Sequence, residues 1–191
     1  MGPPQETGPG GWMRASATAI SELDQLLSEL QGDPAPLESA RLTAIAEKLA
    51  QAFAVKADEV AILAIVGKGK FLQFVIPEKL KAVGTIPLNS TAALAARTAR
   101  DKRADLENAF AGARHASVFE GVPLGRGQDE MIQKIMSAPI LHDGKVAGVI
   151  QISRKGHNAQ GSGPDFNAED LKKLKNLAPK LFPIVGPLQD K

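Results

Sequence analysis

The chain has 191 residues, of which 43% are hydrophobic and 23% are charged, the composition of an ordinary globular protein. With 23 Lys and Arg against 21 Asp and Glu, the net charge of +2 does not indicate a nucleic-acid-binding protein. The absence of cysteine excludes disulfides, thiolate metal sites and thiol nucleophiles. We find no leader peptide and no apolar run of about 20 residues, so we expect a cytoplasmic chain that does not cross a membrane.

The N-terminal part of the chain divides into a tail and a helix. Residues 1–14 are rich in glycine and proline and are predicted to be a disordered tail. Residues 15–34 are predicted to hold a helix, because apolar residues recur there every three or four positions. Two alternatives stay open: this apolar seam packs on the rest of its own chain, or it forms a helical bundle across a homodimer. The seam contains Ile20, Leu23, Leu27 and Leu30.

Residues 35–186 are predicted to form one domain that begins with a second helix, from about residue 36 to residue 53. Residues 59–66 are apolar on both faces, which predicts a central strand that is covered on both sides. The next predicted strands are 71–76, which follows a turn at 67–70, and a short one near 85–88.

The second half of the domain is predicted to contain two helices and a long hairpin. An alanine-rich helix is expected to start at residues 89–91 and to end near Lys102, and a short helix around Leu106 and Phe110 is expected after it. The Asp143-Gly144 turn then joins two strands. These strands are 135–141 and 146–153, and a closing helix starts near Asn167. This order predicts an α+β fold with helices at the ends of an antiparallel sheet.

Little in the chain points to catalysis. It has no G-x-S-x-G motif, and His115, His142 and His157 lack the spacing that places two imidazoles on one helix face. An enzyme would need His115 to act with Asp105 or Glu120. We therefore expect no enzymatic activity and no metal site, and the sequence identifies no cofactor.

Two basic segments are candidates for anion binding. The turn at 67–70, Gly-Lys-Gly-Lys, lacks a complete phosphate-loop motif and precedes a strand, so it is predicted to be a hairpin turn. The basic run from Arg97 to Arg103 has no interleaved aromatic residue on which a base could stack. Helical pairs with Asp101 and Glu107 would neutralise half of its charge. We interpret both segments as solvated surface and expect no nucleic-acid partner.

The last hairpin and the closing helix carry a family resemblance. Residues 135–155, followed by Phe166, Asp170, Leu171 and Leu174, resemble the C-terminal half of a GAF domain. Residues 84–90 and the helix after them are similar to the segment before the family's third helix, so the resemblance spans roughly residues 37–185. It implies a GAF/PAS-like fold, with a central antiparallel sheet, N- and C-terminal helices on one face, and a pocket roofed by loops and a helix on the other. Residues 89–133 would build this roof.

The resemblance also limits the ligands. Bilin-binding and methionine sulfoxide reductase members of the family use cysteines, which this chain lacks. Cyclic-nucleotide-binding members carry an N-K…F-x-x-x-D-E signature, of which the first and last residues are replaced here by Arg154 and Leu171. Lys155 and Asp170 match the signature, and the resemblance implies that they form a structural ion pair.

The resemblance implies a non-enzymatic regulatory or signalling module that binds a small molecule in the pocket, mediates homodimerisation, or does both. The alternative is a pure dimerisation or protein-interaction scaffold. Candidate ligand-binding residues are Asn89 and Ser90 at a helix N-terminus, Phe119 in the roof, and Gln151, a polar residue among apolar strand neighbours. Any signal would pass to an unidentified protein partner through a shift between two arrangements of the domain.

Overall fold

The sheet is the centre of the molecule. The computed structural model describes residues 9–30, 37–112 and 130–189, with side chains from Ser16 onward. Six antiparallel strands lie in the order β3-β2-β1-β6-β5-β4, so the last hairpin, β5–β6, lies inside the sheet. The strands are β1 Val60–Val66, β2 Phe71–Ile76, β3 Thr85–Pro87, β4 Asp105–Glu107, β5 Met131–His142 and β6 Lys145–Gly156.

Helices cover both faces of this sheet. The helices are α1 Pro9–Ser28, α2 Ser39–Phe53, α3 Leu94–Asp101, α4 Ala168–Leu177 and α5 Phe182–Val185. Helices α1, α2, α4 and α5 share one hydrophobic core with the β1 side chains Ile62 and Ala64. Helix α3 packs on the opposite face, where Ala95 and Ala99 share a second core with Leu63 of β1. The prediction that β1 is covered on both sides is therefore confirmed, as is the α+β class.

Helix α1 belongs to the domain and is not a separate arm. It begins at Pro9, within the stretch that we expected to be a tail, and residues 1–8 lie outside the described residues. The side chains of Leu23, Leu27 and Leu30 are buried in the same core as the sheet. Of the two alternatives for the apolar seam, the structure shows packing on its own chain.

Two elements between β3 and β5 differ from the sequence prediction. Helix α3 begins at Leu94, later than expected, because the hydroxyl of Ser90 accepts a hydrogen bond from the backbone N of Ala93 (3.2 Å) in a turn before the helix. The short helix predicted around Leu106 is wrong, since residues 105–107 form strand β4. This strand pairs with β5, with Asp105 opposite Ser137, so tertiary pairing outweighs the local apolar pattern.

The β5–β6 hairpin has the predicted turn but a shifted register. Asp143 and Gly144 both have positive φ, of 49° and 74°, as a type I′ turn requires. The register then shifts by one residue near Ile140 and Leu141. This bulge turns the rest of β6 relative to β5 and places Gln151 opposite Ser137.

Candidate functional site

A chain of buried hydrogen bonds crosses the face of the sheet beneath α3. Nε2 of Gln151 donates to Oγ of Ser137 (3.3 Å), and Oγ of Ser137 lies 2.7 Å from Oγ1 of Thr98. Gln151, Ser137 and Thr98 are 5%, 0% and 2% exposed. These polar side chains therefore connect β6, β5 and α3 at one buried position. We call the three residues Gln151, Ser137 and Thr98 the polar trio.

The direction of the hydrogen bonds in the polar trio follows from its geometry. Oγ1 of Thr98 donates to the carbonyl oxygen of Leu94, 2.9 Å away, and a hydroxyl has only one hydrogen to donate. Ser137 therefore donates to Thr98, and its oxygen is left to accept from Gln151. The trio uses one of the two amide hydrogens of Gln151 and leaves its carbonyl oxygen outside the chain of bonds.

The sequence of α3 explains why the helix lies close to these groups. Ala95, Ala96 and Ala99 face the sheet and are buried, and their small side chains allow the helix backbone to approach the strands. Thr98 lies on the same helix and reaches β5 directly. On β1, Ala61 lies opposite Gln151 and is only partly buried. The described residues therefore leave this part of the sheet face partly uncovered next to the amide.

An ion pair lies beside the polar trio. The guanidinium of Arg97 and the carboxylate of Asp105 are 3.1 Å apart, and their side chains are 31% and 36% exposed. Helical spacing predicts Asp101 as the partner of Arg97, and this prediction is wrong. Strand β4 places Asp105 within reach of Arg97 through its pairing with β5. The expected pair of Arg103 with Glu107 is also wrong, because α3 ends at Asp101 and Glu107 belongs to β4.

Among the predicted ligand residues that the structure describes, Gln151 alone belongs to the polar trio. Asn89 is exposed and follows the end of β3. The carbonyl oxygen of Ser90 accepts a hydrogen bond from the Arg100 guanidinium (2.6 Å). Phe119 lies outside the described residues, as do His115 and Glu120 of the enzyme hypothesis.

Sequence reasoning missed Thr98 and Ser137. Thr98 is a polar residue on the alanine face of α3, and Ser137 interrupts an apolar strand as Gln151 does. These two polar interruptions were the available signal, but the pairing of Ser137 with Gln151 depends on the bulge in the hairpin.

The ion pair between Lys155 and Asp170 stays a prediction, and the structure shows other contacts for both residues. Nζ of Lys155 donates to the carbonyl oxygen of Asp58 (3.0 Å), and its backbone N donates to Oε1 of Glu59 (2.8 Å). Asp170 accepts from the backbone N of Asn167 (2.9 Å), and Oδ1 of Asn167 accepts from the backbone N of Asp170 (2.9 Å). Asp170 and Asn167 therefore form a capping box at the N-terminus of helix α4. Their hydrogen bonds satisfy backbone amides that the first helical turn leaves unpaired.

Two other cations bind the C-terminus of α2. The Arg154 guanidinium donates to the carbonyl oxygens of Ala54 (3.0 Å) and Phe53 (3.5 Å), and Nζ of Lys173 donates to that of Ala52. Lys173 also donates to the hydroxyl of Ser16 on α1. Cations are favoured at a helix C-terminus because its last carbonyls lack partners. The two side chains therefore join α1, α2, α4 and β6, and we call them the α2 cap.

Burial lowers the pKa of both residues of the α2 cap. Desolvation lowers the pKa of Arg154 from its ordinary value, and the negative charges of Glu59 and Asp170 act in the opposite direction. Desolvation likewise lowers the pKa of Lys173, opposed by Asp170. The Lys173 ammonium also lies 4.8 Å from the centroid of the Phe53 ring, a favourable cation–π contact.

The described part of the chain offers no group of three or more His, Asp or Glu side chains that could hold a metal ion. None of the described helices is long and apolar enough to span a bilayer.

Comparison with known proteins adds information at the level of structure. No protein-family model and no curated protein sequence matches the chain. The GAF domain of a phosphoenolpyruvate-protein phosphotransferase from Acinetobacter superposes with a TM-score of 0.63 at 15% identity, over 88% of this chain and 93% of that one. The corresponding GAF domain from Coxiella burnetii has a TM-score of 0.61 at 14% identity, over 87% and 91%.

An enzyme structure is also similar. The free methionine-R-sulfoxide reductase from Neisseria meningitidis, solved in complex with its substrate, has a TM-score of 0.58 at 16% identity, over 90% of each chain. With its six-stranded antiparallel sheet, its layer of terminal helices and these structural neighbours, the chain has the fold of a GAF domain.

Proposed function

We propose that this chain is a non-enzymatic regulatory module that binds a small molecule on the α3 face of its sheet. The observation that carries the proposal is the polar trio, a hydrogen-bonded Gln151, Ser137 and Thr98 in an otherwise apolar layer. Ligand sites of this kind combine apolar walls with a few placed polar groups, which orient the ligand. The α3 face is also the face on which the GAF resemblance implies a pocket.

The energetics of the polar trio support a role beyond stability. A buried polar group without a partner costs about 1–3 kcal/mol, and apolar residues of the same shape would avoid this risk. The trio nevertheless keeps three polar side chains buried and, among the described residues, uses one amide hydrogen of Gln151. In our proposal the Gln151 amide, beside partly exposed Ala61, offers a ligand both a donor and an acceptor.

The similar reductase does not favour the same chemistry here. Its structure with bound substrate illustrates that a GAF-like fold can hold a small molecule. Thiol-based reduction needs a cysteine nucleophile, and the 191 residues contain none. We therefore propose binding without catalysis, in a reducing compartment such as the cytoplasm, with output through a protein partner.

Thermal unfolding in the presence of candidate ligands tests this proposal. The probes are cAMP, cGMP and haemin, each added at increasing concentration to the purified chain. A ligand at a hundred times its Kd stabilises the folded state by about 2.7 kcal/mol, which raises the Tm of a protein of this size by about 5–10 °C. A panel without any shift would contradict ligand binding within these classes.

Variants locate the binding site. Gln151→Leu and Ser137→Ala should abolish the ligand-induced shift. Ser16→Ala removes a hydrogen-bonded serine from the opposite, helical face and should keep it. An equal loss of the shift in all three variants would place the site elsewhere.

A second candidate function is a scaffold that forms homodimers through its terminal helices. A groove of about 320 Å³ lies between α1 and α4, with half-buried Ile20 and buried Leu177 among its lining residues. Leu23 and Leu27 of α1 are buried in their own chain, so a dimer would use this outer groove. Ile20→Lys should then convert a dimer into a monomer in sedimentation analysis, with Thr18→Lys, an exposed residue of the same helix, as the control. A wild-type chain that sediments as a monomer would eliminate this function.

A further inference from the structure

Basic residues that are distant in sequence meet at one end of the sheet. Strands β1 and β6 run antiparallel with Ala64 opposite Gly148, so the end of β1 lies beside the start of β6. The Lys-rich turn at 67–70 and the Asp143-Gly144 turn therefore lie at the same end. The two turns are more than 70 residues apart in the sequence, and the order of the strands in the sheet brings them together.

The C-terminus of α3 joins the same end. Nζ of Lys102 donates to the carbonyl oxygen of Gly144, 2.9 Å away. Arg100 donates to the carbonyl oxygen of Leu88 (2.7 Å), and the backbone N of Leu88 donates to the carbonyl oxygen of Lys70 (2.9 Å). These bonds fix the basic run of α3 against both turns.

The resulting surface has a strong positive surplus. We call it the basic end and define it by the exposed residues Lys68, Lys70, Arg100, Lys102, Arg103 and Lys145. Among the described residues of these turns and the α3 terminus, Asp101 and Asp143 carry the opposite charge. Phe71, which is 37% exposed, follows Lys70 directly and adds an apolar ring at its margin. The whole chain has a net charge of only +2, so this surplus is a local feature.

We propose that the basic end is a docking surface for an Asp- and Glu-rich segment of a partner protein. Complementary charge increases the rate of association and selects against partners of the wrong sign. The site lies at the turns of the sheet and does not depend on the small-molecule site proposed above.

The same observations favour a protein segment over other polyanions. Backbone carbonyls hold Arg100 and Lys102 in place, which suits carboxylates at defined positions better than the mobile headgroups of a bilayer. Single-stranded nucleic acids need several aromatic platforms, whereas Phe71 is the exposed large aromatic residue among the described ones.

The test measures fluorescence anisotropy with a fluorescein-labelled peptide of alternating Glu and Asp residues. The charge-reversal variant Lys68→Glu/Lys145→Glu replaces one lysine at each of the two turns of the basic end. The control Lys172→Glu/Lys175→Glu makes the same change in net charge on exposed positions of α4. We expect the first variant to lose about tenfold in affinity or more, the control to stay within about twofold of wild type, and wild-type affinity to fall as salt rises.

Three results would overturn the proposal. Absence of peptide binding removes the surface as a docking site, and an equal loss in both variants means that only net charge matters. Tighter binding of duplex DNA, or of phosphatidylserine vesicles, than of the peptide assigns the surface to another class of partner. Thermal unfolding checks that both variants fold, and Lys68→Gln/Lys145→Gln replaces the first variant if the reversal unfolds it.

Discussion

The guanidinium carbon of Arg154 lies 4.7 Å from the centroid of the Phe166 ring. In the signature of the cyclic-nucleotide-binding members that the chain resembles, Arg154 stands at the first position in place of asparagine, and Phe166 matches the phenylalanine. Arg154 also binds the C-terminus of α2, a hundred residues earlier in the chain. Through backbone carbonyls and an aromatic ring, the arginine therefore ties strand β6 to the end of α2 and to Phe166, which lies just before α4.

Replacing Arg154 should destabilise the fold. Arg154→Met keeps much of the apolar stem but removes the hydrogen bonds to Ala54 and Phe53 and the cation–π contact. A hydrogen bond to a charged group contributes about 1.5–3 kcal/mol, so we expect a loss of this size in urea unfolding. Arg103→Met, at an exposed position, should change the free energy of unfolding by less than about 0.5 kcal/mol. Equal stability of the two variants would show that the α2 cap is dispensable.

Lys173 should titrate below the usual lysine range. Burial lowers the pKa of its ammonium, so the unfolded chain binds more protons than the folded one between the folded pKa and the ordinary value of 10.5. The stability of the wild type should therefore rise with pH across this window, because stability rises wherever the unfolded state binds more protons.

Two measurements check this behaviour. Carbon-13 methylation of lysines, followed by NMR titration, should give Lys173 a lower pKa than exposed Lys172. In Lys173→Met, the part of the rise in stability that comes from this residue should disappear, whereas Lys172→Met should keep it. A Lys173 resonance that titrates together with Lys172 would contradict the predicted effect of burial.

The sequence predicts the layers of the fold better than it predicts the contacts between them. Apolar periodicity places the terminal helices, because their burial follows period 3.6. The continuous apolar run at 59–66 places the central strand β1, which is buried on both faces. Residues 105–107 have no such pattern and become a strand only through the neighbouring edge of β5. Arg97 likewise finds Asp105 through this pairing, where helical spacing pointed to Asp101.

The candidate site shows the same limit. Gln151 is recognisable in the sequence as a polar interruption, but a regular two-residue hairpin would place it opposite Met136 and not opposite Ser137. The bulge near Ile140 shifts the register by one residue and creates the observed pair. A one-residue shift exchanges the faces of a strand, so a site that depends on a bulge is not predictable from alternation alone.

Gly148 is required by the close approach of two backbones. A Cβ at this position would lie 2.3 Å from the carbonyl oxygen of Leu63 and 3.1 Å from Cγ1 of Val185. Since the backbone of β1 cannot move away without breaking the sheet, Gly148→Ala should cost about 3 kcal/mol or more.

A second glycine, Gly69, serves as the control that separates the cost of a steric clash from the cost of an unfavourable backbone conformation. Gly69 has a φ of +81° and open space around its Cβ position, so Gly69→Ala should cost only about 1–2 kcal/mol of backbone strain. The shift of the denaturant midpoint, at a constant m-value, gives the loss of unfolding free energy for each of the two variants. A Gly148→Ala variant as stable as Gly69→Ala would mean that β1 and β6 can separate, contrary to the packing described.

The polar trio should behave as one coupled unit. Thr98→Val removes the acceptor of the Ser137 hydroxyl, whose donor is then buried without a partner, and this should cost about 1–3 kcal/mol. Ser137→Ala removes the acceptor of the Gln151 amide in the same way. When both hydroxyls are absent, no Ser137 donor is left buried without a partner. The loss of unfolding free energy in the double variant should therefore be smaller than the sum of the losses in the two single variants. The coupling should amount to about 0.5–3 kcal/mol, and pairing Ser137→Ala with Thr43→Val, at an exposed position of α2, should give none. Additive losses in the first cycle would show that the two hydroxyls do not bind each other, and the direction of the bonds derived above would then be wrong.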